Sequence, residues 1–140
     1  MSAIVLIGRI LFALLFINSG INHFTKLEAM TGYAKYKKLP AAKLGVLVSG
    51  LMILAGGLFI LLGIWADLGG LLIGVFGILA AVIFHNFWKE TDATAKMNES
   101  IAFFKDIALA GAALIIFGML AKHGDAQFGA HVGHHLNFFK

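Results

Sequence analysis

Apolar residues run almost unbroken through four stretches, Ala3 to His23, Leu44 to Ile64, Leu68 to Phe87 and Ile101 to Ala121. Each reaches the roughly 20 residues that cross about 30 Å of hydrocarbon as a helix, so the pattern predicts four membrane-spanning helices. The short connection Trp65-Ala66-Asp67 makes the second and third antiparallel neighbours, and an up-down-up-down four-helix bundle is the natural packing. The reading is an all-α integral membrane protein, with one domain over residues 1–122 and a His-containing tail over residues 123–140. The first stretch reads as a retained helix rather than a cleaved signal peptide, because its only early charge, Arg9, sits inside the run.

The polar exceptions are more informative than the runs. Asn18, Ser19, Asn22 and His23 end the first helix, Ser49 lies early in the second, His85 and Asn86 end the third, and Lys105 and Asp106 lie early in the fourth. In an up-down-up-down bundle all of them fall toward the face that carries loops one and three. Polar groups inside a bilayer are expensive, so they normally face the bundle or a wet cavity, and these residues should converge. One helix face cannot hold all the polar residues of the first helix. Either His23 with Ser19 or Asn22 with Asn18 should point inward. Arg9 belongs near the opposite membrane face, where Asp67 is the nearest counter-charge for a structural ion pair.

Composition agrees with the membrane reading: 60% of residues are hydrophobic and 13% charged, against about half and about a quarter in soluble domains. The net charge of +4 comes mainly from Lys26, Lys35, Lys37, Lys38 and Lys43 between the first two helices. Loop two has no lysine or arginine, whereas loop three has Lys89 and Lys96, so loops one and three are expected in the cytoplasm. Lysines so placed serve topology, and nucleic-acid binding is not expected. Among them Phe24, Leu27, Met30, Tyr33, Tyr36 and Leu39 suit a connector lying along the interface. With no cysteine, the chain has no disulfide, no thiolate metal site and no dithiol relay. Any redox chemistry must use a bound molecule.

Leu54 to Gly63 aligns without gaps to Leu109 to Gly118, which points to two tandem helical hairpins. Gly70, Gly74, Gly77 and Ala81 form a small-residue stripe that lets another helix approach closely. His85 near a helix end can simply bond a neighbouring carbonyl, and Trp88 can be an aromatic-belt residue. Two histidines at one level could ligate a haem, but both lie near helix ends and no further motif supports it. In the tail, His131, His134 and His135 could meet a metal only on a helix that Gly129 and Gly133 disfavour, so no metal site is expected.

Gly8-Arg9, Asn18-Ser19-Gly20, His85-Asn86-Phe87-Trp88, and Met97-Asn98 followed by Phe103-Phe104-Lys105-Asp106-Ile107-Ala108-Leu109-Ala110-Gly111 resemble the DoxX family, over about Gly8 to Leu120. The resemblance implies a small multi-pass protein of the bacterial or archaeal cytoplasmic membrane, with relatives that are subunits of quinone-reducing thiosulfate oxidoreductases or other membrane oxidoreductase assemblies. Relatives often carry an acidic residue in helix two, where this chain has Met52 and Ile53, and Asp106 stands where Asn is expected.

The leading expectation is therefore a quinone-associated subunit with no covalent cofactor. His23, Asn22, His85, Asn86, Trp88, Lys105 and Asp106 are its candidate ligand-binding residues, and electrons come from a protein partner. A homo-oligomer is the alternative association, and a non-catalytic packing or assembly subunit is the alternative function. A transporter fits less well, because no charged residue sits near the midplane of a helix.

Overall fold

The computed structural model describes residues 2–123, 133, 134 and 136. Of the tail, His131, His135 and Gly129 lie outside the described residues. The described chain is all-α: α1 (Ser2–Thr25), α2 (Leu27–Tyr36), α3 (Ala42–Leu62), α4 (Ala66–Phe84) and α5 (Ala93–His123), with a 3-10 turn at Phe87–Lys89. Four of them, α1, α3, α4 and α5, are long and apolar enough to cross a membrane.

Three boundaries differ from the hydropathy pattern, each for a local reason. The first loop contains α2, whose buried side is Thr31 and Ala34. Two residues past its end at Tyr36, Lys38 takes a left-handed conformation (φ 61°). Lys38 N–H donates to the Lys35 carbonyl and Leu39 N–H to the Ala34 carbonyl, closing the helix end before Pro40. The third spanning helix stops at Phe84 rather than Phe87, where the Asn86 side-chain amide donates to the Ile83 carbonyl (3.2 Å) and takes over a helix-end acceptor. The last helix starts eight residues before Ile101, at Ala93. Asp92 caps it, its carboxylate accepting from Ala95 N–H at 2.8 Å. At 31 residues α5 is about 46 Å long, so its first turns exceed the span of the hydrocarbon.

Glycines set the helix contacts. A Cβ at Gly20 would lie 2.7 Å from Leu54 Cβ, and one at Gly57 3.2 Å from Ile17 N, so α1 and α3 pack antiparallel with backbones nearly touching. The expected stripe on α4 does the same for α5, since a Cβ at Gly70 would meet the Ala113 carbonyl at 2.6 Å and one at Gly77 the Asp106 carbonyl at 3.2 Å. The two closest pairs are thus α1–α3 and α4–α5, joined through α3–α4. Ile53, Ile60 and Ile73 are fully buried between them. Ala13 and Phe16 of α1 join Ile73 of α4 and Ala113 and Leu120 of α5 in one buried cluster, so the four long helices form a bundle in which these two pairs are the tight contacts.

At the end carrying the α3–α4 turn, Arg9 and Asp67 are both buried. Where an ion pair is expected from the sequence, the contacts described for Arg9 are carbonyl oxygens: Nε donates to Ile60 (3.1 Å) and Nη2 to Leu61 (2.8 Å). α3 terminates at Leu62, so these carbonyls lack helical partners and a cation suits them. Asp67, in the first turn of α4, accepts from Leu68 N–H at 2.9 Å.

Candidate functional site

In the gap between α1 and the α4–α5 pair, toward the end that carries loops one and three, lies a cavity of about 630 Å³. Because α3 packs on both sides of the gap, it closes the back, with Ser49 and Met52 on the wall. α2 caps the loop end through Met30 and Tyr33. Most of the lining is apolar, including Phe16, Phe76, Ile83 and Leu109. Leu15 and Leu79 line it while remaining 45% and 52% exposed, which puts its rim on the lipid-facing surface.

Four polar candidates meet there: His23, His85, Lys105 and Asp106. His23 comes from α1 and is buried. Its Nδ1 lies 2.8 Å from the Ser19 carbonyl, which can only accept, so Nδ1 donates and Nε2 is left for other partners. The ring meets Phe76 edge-on across the cavity (6.1 Å between centroids). Gly50 leaves room for it, since a Cβ there would fall 2.5 Å from His23 Cβ.

His85 sits just past the end of α4 between two carboxylates. Nδ1 lies 2.8 Å from Glu99 Oε2 and Nε2 3.5 Å from Asp106 Oδ2, while Lys105 Nζ is 3.8 Å from Asp106 Oδ1. A chain of ionisable side chains thus runs from Glu99 through His85 and Asp106 to Lys105, with Asp106 and His85 on the cavity wall and Glu99 outside it. Glu99 is absent from the sequence-based candidates because hydropathy starts the last helix at Ile101. The capping signal at Asp92, which puts Glu99 inside α5, was the cue that could have found it.

The other candidates do not line the cavity. Asn22 and Asn18 lie on the other side of α1, so the first helix turns its His23–Ser19 side inward. Asn86 Oδ1 accepts from Lys37 Nζ (3.1 Å), and Lys37 also pairs with Glu90 (3.9 Å), tying α2 to the 3-10 turn. Trp88 is half exposed and stacks edge-on with Phe87 and Phe103. Tyr33, from the cap, donates its hydroxyl to the Phe84 carbonyl at 3.3 Å. Burial, then the nearby charges of Glu99 and Glu90, raise its phenol above the usual value.

Four apolar helices around a cavity that opens toward lipid, with charge gathered at one end, define an all-α multi-pass membrane protein. The chain belongs to the DoxX family, whose model matches residues 4–86. That span takes in α1 to α4 and stops at Asn86, so Glu99, Lys105 and Asp106 of α5 lie beyond it. No curated protein and no solved structure matches the chain.

Proposed function

We propose that this DoxX-family protein binds a quinone in the cavity between α1, α3, α4 and α5, as the quinone-handling subunit of a membrane oxidoreductase. The observation that carries the reading is the asymmetry of the cavity: apolar walls over most of about 630 Å³, with His23, His85, Lys105 and Asp106 gathered toward one end. Small-molecule sites of this kind occupy about 300 to 1,000 Å³ and pair apolar walls with a few placed polar groups. A quinone presents the complementary pattern, an apolar ring and isoprenoid tail with carbonyl acceptors at the ring. Lys105 is a donor in every charge state it takes near neutral pH, and His85 donates from a protonated ring nitrogen. With Nδ1 of His23 engaged by the Ser19 carbonyl, Nε2 is the ring nitrogen available to hydrogen-bond a quinone oxygen. The exposed rim at Leu15 and Leu79 supports entry from the lipid.

Reduction of a quinone consumes two electrons and two protons. Histidine and aspartate at the polar end can exchange the protons. The electrons come from a partner protein, since the chain has no cysteine and no haem-attachment or flavin motif.

The test is quinone binding by the purified protein in lipid nanodiscs, followed by titration with a short-tailed quinone. Wild-type protein is expected to retain and bind quinone, and His85→Ala or Lys105→Ala to weaken binding about tenfold, the equivalent of about 1.4 kcal/mol. Wild-type protein that neither retains nor binds quinone overturns the reading. In that case, loss of a partner complex on deletion of this chain, with every quinone site intact, identifies an assembly subunit instead.

A further inference from the structure

We infer that Glu99, His85 and Asp106 form a proton relay connecting the aqueous face at the start of α5 to the cavity. The inference rests on the cavity being a ligand site, and it adds the route by which the site exchanges protons with water. Glu99 is the outer end: it does not line the cavity, its side chain is 25% exposed, and it lies 2.8 Å from His85 Nδ1. Asp106 is the inner end, on the cavity wall, 3.5 Å from His85 Nε2. The two ring nitrogens therefore address two different carboxylates, one on the water side and one on the ligand side. An imidazole is suited to this because it can take a proton at one nitrogen and release another from the second near neutral pH.

Each transfer balances without net charge build-up. Glu99 gives its proton to Nδ1 as Nε2 gives its proton to Asp106, Glu99 is reprotonated from water, and a half-turn of the ring brings the remaining N–H back to face Asp106 before the next transfer. Asp106 then passes the proton to the reduced ligand, whose electrons come from the partner redox protein. The inner distance must shorten to the roughly 2.7 to 3.2 Å of a hydrogen bond for transfer. Lys105, 3.8 Å from the other Asp106 oxygen, holds that carboxylate at the wall. Among the described residues, further charged or titratable groups at this end of the cavity include Tyr33 and Lys37 at the end of α2, Lys26 on the cavity wall, and Glu90 after the 3-10 turn. Tyr33 is engaged with the Phe84 carbonyl, and Lys37 with Asn86 and Glu90.

A merely structural bridge would tie the end of α4 to α5 without carrying protons, so the experiment reads proton movement. Full-length protein with ring-nitrogen-labelled histidine is placed in nanodiscs, and exchange of the His85 ring proton with water is followed by NMR, with and without a short-tailed quinone. Glu99→Gln is expected to slow exchange about tenfold or more, and acetate, a soluble proton carrier, to restore it. Glu99→Asp is expected to keep part of the rate and serves if Glu99→Gln does not fold. Exchange in the variants equal to wild type, or slowed but not restored by acetate, overturns the relay whether or not quinone binds. Acetate-restored slowing in a protein that binds no quinone leaves the relay standing and overturns the quinone reading alone.

Discussion

The two imidazoles at the cavity differ in what holds them, and that difference assigns them separate work. His23 spends Nδ1–H on its own helix, at the Ser19 carbonyl, and packs its ring against Phe76. His85 depends on carboxylates of α5 at both nitrogens. Replacing His23 with Leu is expected to keep the fold, since the ring packs against Phe76, and to weaken quinone binding by about 5- to 10-fold, roughly one hydrogen bond, in the same nanodisc titration. Tyr33 supplies a pH signature outside the spanning segments. Its phenol is raised above the ordinary value of 10.0, so the folded state holds the proton where the unfolded chain has lost it. Its contribution to stability is complete below pH 10.0 and is lost as pH rises through the raised value. Melting in detergent is expected to weaken as pH rises above 10.0 and through the raised value, and Tyr33→Phe to reduce that dependence. The candidates His23, His85, Lys105 and Asp106 were legible because a polar residue in an apolar run is conspicuous. Glu99 was not, because acidic residues outside such runs are ordinary.

At the scale of elements, the fold relies on backbone approach rather than on large side chains. Gly70→Ala would place a methyl 2.6 Å from the Ala113 carbonyl and 2.9 Å from Phe117 N, both backbone, so α4 and α5 must separate. A loss of about 1 to 3 kcal/mol is expected, read as a lower melting temperature. Gly111→Ala is the control: nothing lies within 4 Å of its Cβ position, and the substitution is expected to be neutral or to stabilise by up to about 1 kcal/mol. Asp92→Ala removes the cap of α5, at a cost of about 1 kcal/mol, and should loosen the first turns that carry Glu99. Increased hydrogen exchange over residues 93–99 would show it.

For the whole molecule, the decisive property is how the helices pair: glycines draw α1 to α3 and α4 to α5, and the space between the pairs, toward loops one and three, holds the cavity. The alternation of α1, α3, α4 and α5 puts loops one and three on one side. The lysines of loop one lead us to expect that side to be the cytoplasm. Since the chain has no cysteine, single cysteines report this directly. Lys38→Cys and Thr91→Cys are expected to react with an impermeant maleimide from one side of sealed vesicles, and Ile64→Cys from the other. Lys38→Cys and Ile64→Cys labelled from the same side would contradict the topology.

By itself the sequence determined that the chain crosses the membrane as four helices, that polar residues gather toward one face, and that the α4 glycines make a close contact. These follow from local rules: hydrocarbon demands about 20 apolar residues with every backbone group paired, and a missing Cβ shows at once where a neighbour can approach. Tertiary structure alone decided that His23 rather than Asn22 turns inward, that α1–α3 and α4–α5 are the tight pairs, and that His85 lies between Glu99 and Asp106. Those outcomes depend on helix rotation and on pairings between residues distant in the chain. In a helix whose surroundings are apolar on every side, hydrophobic periodicity does not specify rotation. Packing does, here through Gly50 making room for His23 and the α4 glycines drawing in α5.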